Sequence, residues 1–106
     1  MPDYLFAYHG GRRPETAQEG AEMMKQWNAW MDGLGEASVD PGNPVGKSYT
    51  VSAAGIEDNG GPNPLSGFSI IVADDLDAAL AIAKGCPFLK MDGTIEVAEM
   101  MQMPGN

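Results

Sequence analysis

The only histidine of the chain, His9, ends a short aromatic run and is followed by Gly10 and Gly11. An imidazole can act as a general base or bind a ligand, and paired glycines allow a ligand to approach the backbone closely. The alternative is a histidine at a strand end, bonded to a neighbouring carbonyl. A lone histidine cannot anchor zinc without suitably spaced cysteine or carboxylate partners. No such cluster is visible in the spacing, so we expect neither a metal nor a cofactor.

Tyr8, Trp27 and Ser66 join His9 as candidate ligand-binding residues. An indole at Trp27 could stack on a flat ligand, although large aromatic side chains more often pack in a core or an interface. Tyr8 could assist His9 in proton transfer. Ser66 closes a Gly/Pro-rich segment, residues 55–66, which we interpret as a long loop, and loops of about a dozen residues are often functional.

Two further motifs are rejected as sites. The segment from Gly42 to Ser48 has three residues between its glycines, where a phosphate-binding loop needs four, and a predicted strand rather than a helix follows it. Cys86, the only cysteine, ends a predicted helix, and the negative end of the helix dipole disfavours a reactive thiolate. We therefore interpret Cys86 as a small buried hydrophobic residue.

The charge balance excludes several classes of partner. Fifteen acidic and six basic residues give a formal net charge of −9. Nucleic acids and anionic membranes are bound through clustered lysine and arginine, so we expect neither as a partner. No run approaches the ~20 apolar residues of a membrane span. A single cysteine and the lack of a basic, apolar leader predict a cytoplasmic protein without internal disulfides.

The hydrophobic pattern predicts the elements that position these residues. Thr16 and Glu19 form a capping box, and Gly35 suits the end of the helix that begins there. A second helix begins after Asp74 or Asp75. The apolar stripe of the first helix consists of Ala17, Gly20, Met24, Trp27, Met31 and Leu34. Strands are predicted over residues 4–9, 47–53, 68–73 and 94–100.

The order β-α-β-β-α-β predicts one α+β domain over residues 1–106. We expect a ferredoxin-like sandwich, in which both helices cover one face of an antiparallel sheet. The first and third strands carry apolar residues on both sides, so the other face would be a large exposed apolar patch. We therefore expect a symmetric homodimer that buries this face.

Several segments resemble the YCII-related (DGPF-domain) proteins, over about residues 4–101. The matching segments are Met24-x-x-Trp27-x-x-Trp30-Met31-x-x-Leu34, Gly42-Asn43-Pro44, Gly67-Phe68-x-Ile70 with Ala73-Asp74, Ala83-Lys84-Gly85-Cys86-Pro87 and Gly93-Thr94-Ile95-Glu96-Val97. The resemblance implies a dimeric α+β barrel with a small cleft between sheet and helix.

The chain departs from this family in two places. The Asp-Gly-Pro-Phe motif is not intact, because its region, residues 58–64, reads Asp-Asn-Gly-Gly-Pro-Asn-Pro. YCII-type members have a helix histidine, proposed to act in catalysis with an aspartate, and Trp27 stands at that position here. The resemblance therefore implies the family's fold without its proposed catalytic pair.

Two main hypotheses of function follow. The first is a homodimer that binds a small molecule in a cleft near Tyr8, His9, Trp27 and Ser66. The second is a small cofactor-free enzyme that uses His9 for proton transfer or hydrolysis in a cleft between sheet and helix. A weaker third option is an accessory domain that modulates a partner protein.

Overall fold

The computed structural model describes residues 1–103, so the last three residues of the predicted domain lie outside the described part. The elements are, in chain order, β1 (Asp3–Gly10), α1 (Ala17–Leu34), β2 (Ser38–Asp40), β3 (Thr50–Ser52), β4 (Gly55–Glu57), β5 (Leu65–Val72), α2 (Leu76–Lys84) and β6 (Gly93–Glu99). Short 3-10 turns span Gly35–Ala37 and Pro87–Met91.

The main sheet has four strands in the order β2-β5-β1-β6. Every pair in it is antiparallel. Side chains of α1 and α2 pack on the same side of this sheet, around a shared core. The predicted ferredoxin-like α+β sandwich is therefore confirmed.

The second strand of the sheet is not the one that the sequence predicted. Ser38–Asp40 pairs with β5 at the edge of the sheet, whereas Thr50–Ser52 pairs only with Gly55–Glu57, in a separate two-stranded sheet. The predicted loop 55–66 thus contains β4 and the start of β5. Alternating side chains indicate an extended strand, but they do not specify its partner.

The ends of α1 follow the sequence prediction. The Thr16 hydroxyl accepts a hydrogen bond of 3.0 Å from the Glu19 N–H. Gly35 follows the last helical residue with a φ of 54°, a conformation that side chains with a Cβ disfavour. In α2 the N-cap is Asp75, whose carboxylate accepts from the Ala78 N–H at 2.8 Å.

The core lies between the sheet and the helices. Tyr4, Phe6 and Tyr8 of β1 point into it and are at most 5% exposed, as alternation along a strand requires. Ala79 and Ala83 are the buried residues of α2, and such small side chains let the helix lie close to the sheet. Partly buried side chains of α1 complete the core, namely Trp27, Trp30 and Leu34.

The opposite face of the sheet is apolar along its two central strands. We call the five residues of β1 and β5 that form it the open face. They are Leu5, Ala7, Phe68, Ile70 and Val72, and each is half-buried. Leu5 lies opposite Ile70, and Ala7 opposite Phe68. The predicted apolar character of both faces of these strands is therefore confirmed.

Candidate functional site

A cleft of about 350 Å³ opens between α1 and one end of the sheet. Helix α1 forms one wall, and the other comes from the ends of β1 and β5 together with the segment that follows β2. The lining residues are Tyr8, Met23, Met24, Trp27, Gly42, Asn43, Pro44, Ser66, Gly67, Phe68 and Phe88. No charged residue lines the cleft within the described part of the chain.

Aromatic rings meet at the base of this cleft. The Tyr8 ring contacts Trp27 at a centroid distance of 5.6 Å and Phe88 at 5.3 Å, both edge to face. Trp27 in turn lies 5.3 Å from Trp30. Such pairs add ~0.5–1.5 kcal/mol each beyond the burial of their surface, so they fix one wall of the cleft.

A buried hydrogen-bond chain holds Tyr8 in place. Its hydroxyl donates to Ser69 Oγ at 2.9 Å, and Ser69 donates to the Pro41 carbonyl at 2.8 Å. Ser69 is fully buried. Burial raises the pKa of Tyr8 well above its ordinary value, although the hydrogen bond with Ser69 lowers that pKa in part. Tyr8 therefore stays protonated near neutral pH and does not supply a phenolate base.

The segment after β2 lies directly on β5. The Phe68 N–H donates to the Asn43 carbonyl at 3.3 Å, and the Val45 N–H donates to the Ser66 carbonyl at 2.9 Å. Gly42 has a φ of 73°, and a Cβ there would collide with the Phe68 carbonyl. Glycine is thus required for this close approach, which forms the second wall of the cleft.

Hydroxyl and amide side chains are few in the cleft, and two of the three are already bonded. The Ser66 hydroxyl donates to the Gly10 carbonyl at 2.8 Å and so joins the start of β5 to the end of β1. The Tyr8 hydroxyl is committed to Ser69. Asn43 is the third and is exposed. Its carboxamide and the indole N–H of Trp27 are the lining groups that could bond a polar substituent.

His9 points away from this cleft, to the side of the open face. Its Nδ1 lies 3.0 Å from the Asn63 carbonyl and 3.3 Å from the Pro64 carbonyl, while Nε2 lies 3.1 Å from Glu96 Oε1. Carbonyl and carboxylate oxygens only accept hydrogen bonds, so each ring nitrogen bonds its neighbour only where it carries a hydrogen. Both ring nitrogens are engaged by the protein, which leaves neither of them for a substrate.

The structure therefore brings Tyr8, Trp27 and Ser66 around one cleft and places His9 elsewhere. The reason is geometric, since Tyr8 and His9 are consecutive in a strand and must point to opposite faces. The alternation of side chains along the predicted strand 4–9 already indicated this in the sequence. Sequence reasoning did not name Asn43 or Phe88 as lining residues, because their contribution depends on how two loops fold back onto the sheet.

Cys86 has no place in this chemistry. It is 2% exposed, and burial raises the pKa of its thiol to about 11. Its predicted burial is confirmed, and the thiol stays protonated at neutral pH.

Across residues 1–103, no group of three or more His, Cys, Asp or Glu side chains could hold a metal ion. Over the same residues, no helix has the length and apolar character to cross a membrane.

Comparison with known proteins assigns the family. The model of the YCII-related domain matches residues 4–104, so the chain belongs to the YCII-related family, as its motifs suggested. Among solved structures, the chain is similar to 5-chloro-2-hydroxyhydroquinone dehydrochlorinase (TftG) from Burkholderia phenoliruptrix AC1100, in complex with 2,5-dihydroxybenzoquinone. The identity is 19% and the TM-score 0.55, over 96% of this chain and 98% of that chain, a likeness that shows the fold. No curated protein matches the sequence.

Proposed function

We propose that this chain is one subunit of a homodimer that binds a small, flat, uncharged molecule in the cleft beside α1. The observation that carries the proposal is the lining of the cleft, where Tyr8, Trp27 and Phe88 surround a space of about 350 Å³ without a charged residue. Ligand sites are typically apolar clefts with few polar groups. Aromatic walls fit a planar ring, and the volume suits a ligand of one ring or two.

The charge of the protein favours an uncharged ligand. The chain carries a formal net charge of −9, and no lysine or arginine lines the cleft within the described residues. An anion would enter a negative potential without a partner for its charge. A neutral ring with a hydroxyl or carbonyl substituent would keep the aromatic contacts and could bond Asn43.

The ligand of the structural neighbour is in keeping with this class. TftG is described in complex with 2,5-dihydroxybenzoquinone, which is a single planar ring with oxygen substituents. That similarity suggests a ring of this shape as a first probe. No charged residue lines the cleft within the described part of this chain. We therefore expect this chain to bind neutral hydroquinone more tightly than an ionised dihydroxybenzoquinone.

The open face supports the homodimer. Leu5, Phe68 and Ile70 lie there side by side, and no helix of the described chain covers them. Contiguous apolar patches of this kind usually mark an interface. Two copies related by a twofold axis bring identical patches together. The single, buried Cys86 is in keeping with a reducing compartment, and we propose a cytoplasmic location on that ground.

The enzymatic alternative has less support. His9 does lie 3.1 Å from the Glu96 carboxylate, a distance at which a carboxylate can orient a general base. However, the other ring nitrogen is bonded to backbone carbonyls, and the pair lies outside the cleft. We therefore place binding before proton transfer as the function of this chain.

A titration with hydroquinone, followed by NMR, tests the binding proposal. We expect the largest shifts at the backbone amides of Gly42 and Gly67, because both residues line the cleft. Met24 is 58% exposed and lies at the rim, so Met24→Trp should fill the entrance without disturbing the core. We expect this substitution to weaken binding by about tenfold or more, since overfilling a packed site is strongly unfavourable.

Met101→Trp is the matched control. Met101 is 87% exposed and does not line the cleft, so this variant should bind hydroquinone as the wild type does. Equal binding by Met24→Trp and the wild type would contradict the proposed site. So would shifts that cluster away from α1 and the start of β5.

A further inference from the structure

A small hairpin lies apart from the main sheet. We call residues 47–60 the arm. Within it, β3 and β4 pair with each other in a sheet of their own. Lys47 Nζ contacts Asp58 Oδ1 at 2.6 Å, and the Thr50 hydroxyl donates to the Asn59 carbonyl at 2.8 Å. These contacts close the base of the arm and make it an organised unit.

The arm presents an apolar pair to solvent. Val51 and Ile56 lie directly opposite each other, and each is 74% exposed. A directly opposed cross-strand pair contributes only ~0.2–1 kcal/mol, and an isolated two-stranded hairpin is marginal in water. The face of the arm that carries Val51 and Ile56 is therefore expected to pack against another element.

The shape of the chain points the same way. Its radius of gyration is 15.3 Å, whereas a compact domain of this length has about 13 Å. The extents of 43 × 37 × 20 Å describe a flat, extended body. A subunit whose projecting parts pack on a neighbour has this shape, whereas a compact monomer does not.

The segment that follows the arm is fixed on the side of the open face. The carbonyls of Asn63 and Pro64, a few residues after the arm, accept from His9 Nδ1. His9 follows Leu5 and Ala7 in the strand alternation, so all three point to the same side of the sheet. The cleft lies on the other side, beside Tyr8.

We propose that the arm packs on a second copy of this chain, which covers the Val51–Ile56 face. The inference rests on the homodimer proposed above, and it adds a second contact beyond the open face. The occupant is a second copy and not the cleft of the same chain, because the segment that follows the arm is bonded to His9, on the side of the sheet where the second copy would lie. In this proposal His9, the sole histidine, positions the segment next to the arm for the contact with the second copy.

Sedimentation equilibrium of matched variants tests this contact. Val51→Thr with Ile56→Thr keeps β-branching and net charge while it makes the arm polar. Leu76→Gln with Leu80→Gln is the control, since these leucines are 48% and 42% exposed on α2, on the helix side. We expect the arm variant to raise the dimer dissociation constant by roughly tenfold or more, and the control to leave it within about twofold of the wild type. Equal constants for the arm variant and the control would overturn the proposal.

A spin label at the tip of the arm locates the surface that it contacts. Ala53→Cys accepts the label selectively, because Cys86 is buried and its thiol pKa is raised to about 11. The labelled chain is mixed with unlabelled chain enriched in ¹⁵N. We expect broadening of amide signals in the ¹⁵N copy. A wild-type dimer without such broadening would overturn the arm contact alone. A wild-type monomer would overturn the homodimer and the arm together.

Discussion

Tyr8 links three parts of the molecule through one side chain. Its ring contacts Trp27 of α1 and Phe88 of the turn before β6. Its hydroxyl is joined through Ser69 to the Pro41 carbonyl, just before the segment that walls the cleft. The shape of the cleft therefore depends on a hydrogen bond that a ligand never touches.

Ser69→Ala should expose this dependence. The substitution leaves the buried Tyr8 hydroxyl and the Pro41 carbonyl without their partner, and an unsatisfied buried group costs about 1–3 kcal/mol. We expect the free energy of unfolding in urea to fall by about 2 kcal/mol. Binding of hydroquinone should weaken as well, because the 41–44 segment loses one of its hydrogen bonds to β5.

Tyr8→Phe in the same background separates the hydrogen bond from packing. Removing both hydroxyls takes away one of the unsatisfied groups while keeping the ring, so the two losses should not add. Strict additivity of the two substitutions would show that Tyr8 and Ser69 are not coupled in the folded protein.

Individual site residues could be predicted only in part from the sequence. The residue types of Tyr8, Trp27 and Ser66 were sufficient to single them out, and they line one cleft. The placement of His9 with them ignored strand alternation. Asn43 could not be identified, because its position depends on the contact of Gly42 with Phe68, which joins residues far apart in the chain.

Among the elements, α1 is best specified by local sequence. The Glu19 carboxylate accepts from the Glu15 N–H at 3.0 Å and from Arg12 at 2.9 Å. These two hydrogen bonds, the first of them most, lower the pKa of Glu19 below its ordinary value. The carboxylate thereby joins the segment before the helix to its first turn.

Glu19→Gln should give a pH-dependent loss of stability. A lowered pKa in the folded state means that the ionised carboxylate stabilises the fold above the pKa of the unfolded chain, and that this contribution disappears as the pH falls through the folded pKa. The stability difference between wild type and variant should be full at pH 7 and shrink as the pH falls below about 4.5. Urea unfolding at several pH values measures it. A difference that stays constant into acid would contradict this role for Glu19.

The strands were less predictable than the helices. Capping residues such as Thr16 and Gly35 mark helix ends locally, and both are found at those ends. By contrast, β2 is three residues long and carries no periodic pattern of its own. The alternating segment around Val51 looked like a sheet strand, and only its pairing with β4 shows that it belongs to the arm.

At the scale of the whole molecule, the exposed apolar surfaces lie where a second copy would cover them. The open face occupies the side of the sheet opposite the helices, and His9 bonds the segment that follows the arm on that same side. The cleft occupies the helix side. The open face is thus available for assembly, and it shares only Phe68 with the lining of the cleft.

Pairing through the open face is the central claim about this protein, and light scattering at micromolar concentration tests it most directly. We expect twice the 11.2 kDa of one chain for the wild type. Ile70→Asp, which places a charge at the middle of the open face, should give the mass of a single chain while keeping the helical content of the wild type. A wild-type mass of 11.2 kDa would contradict the claim.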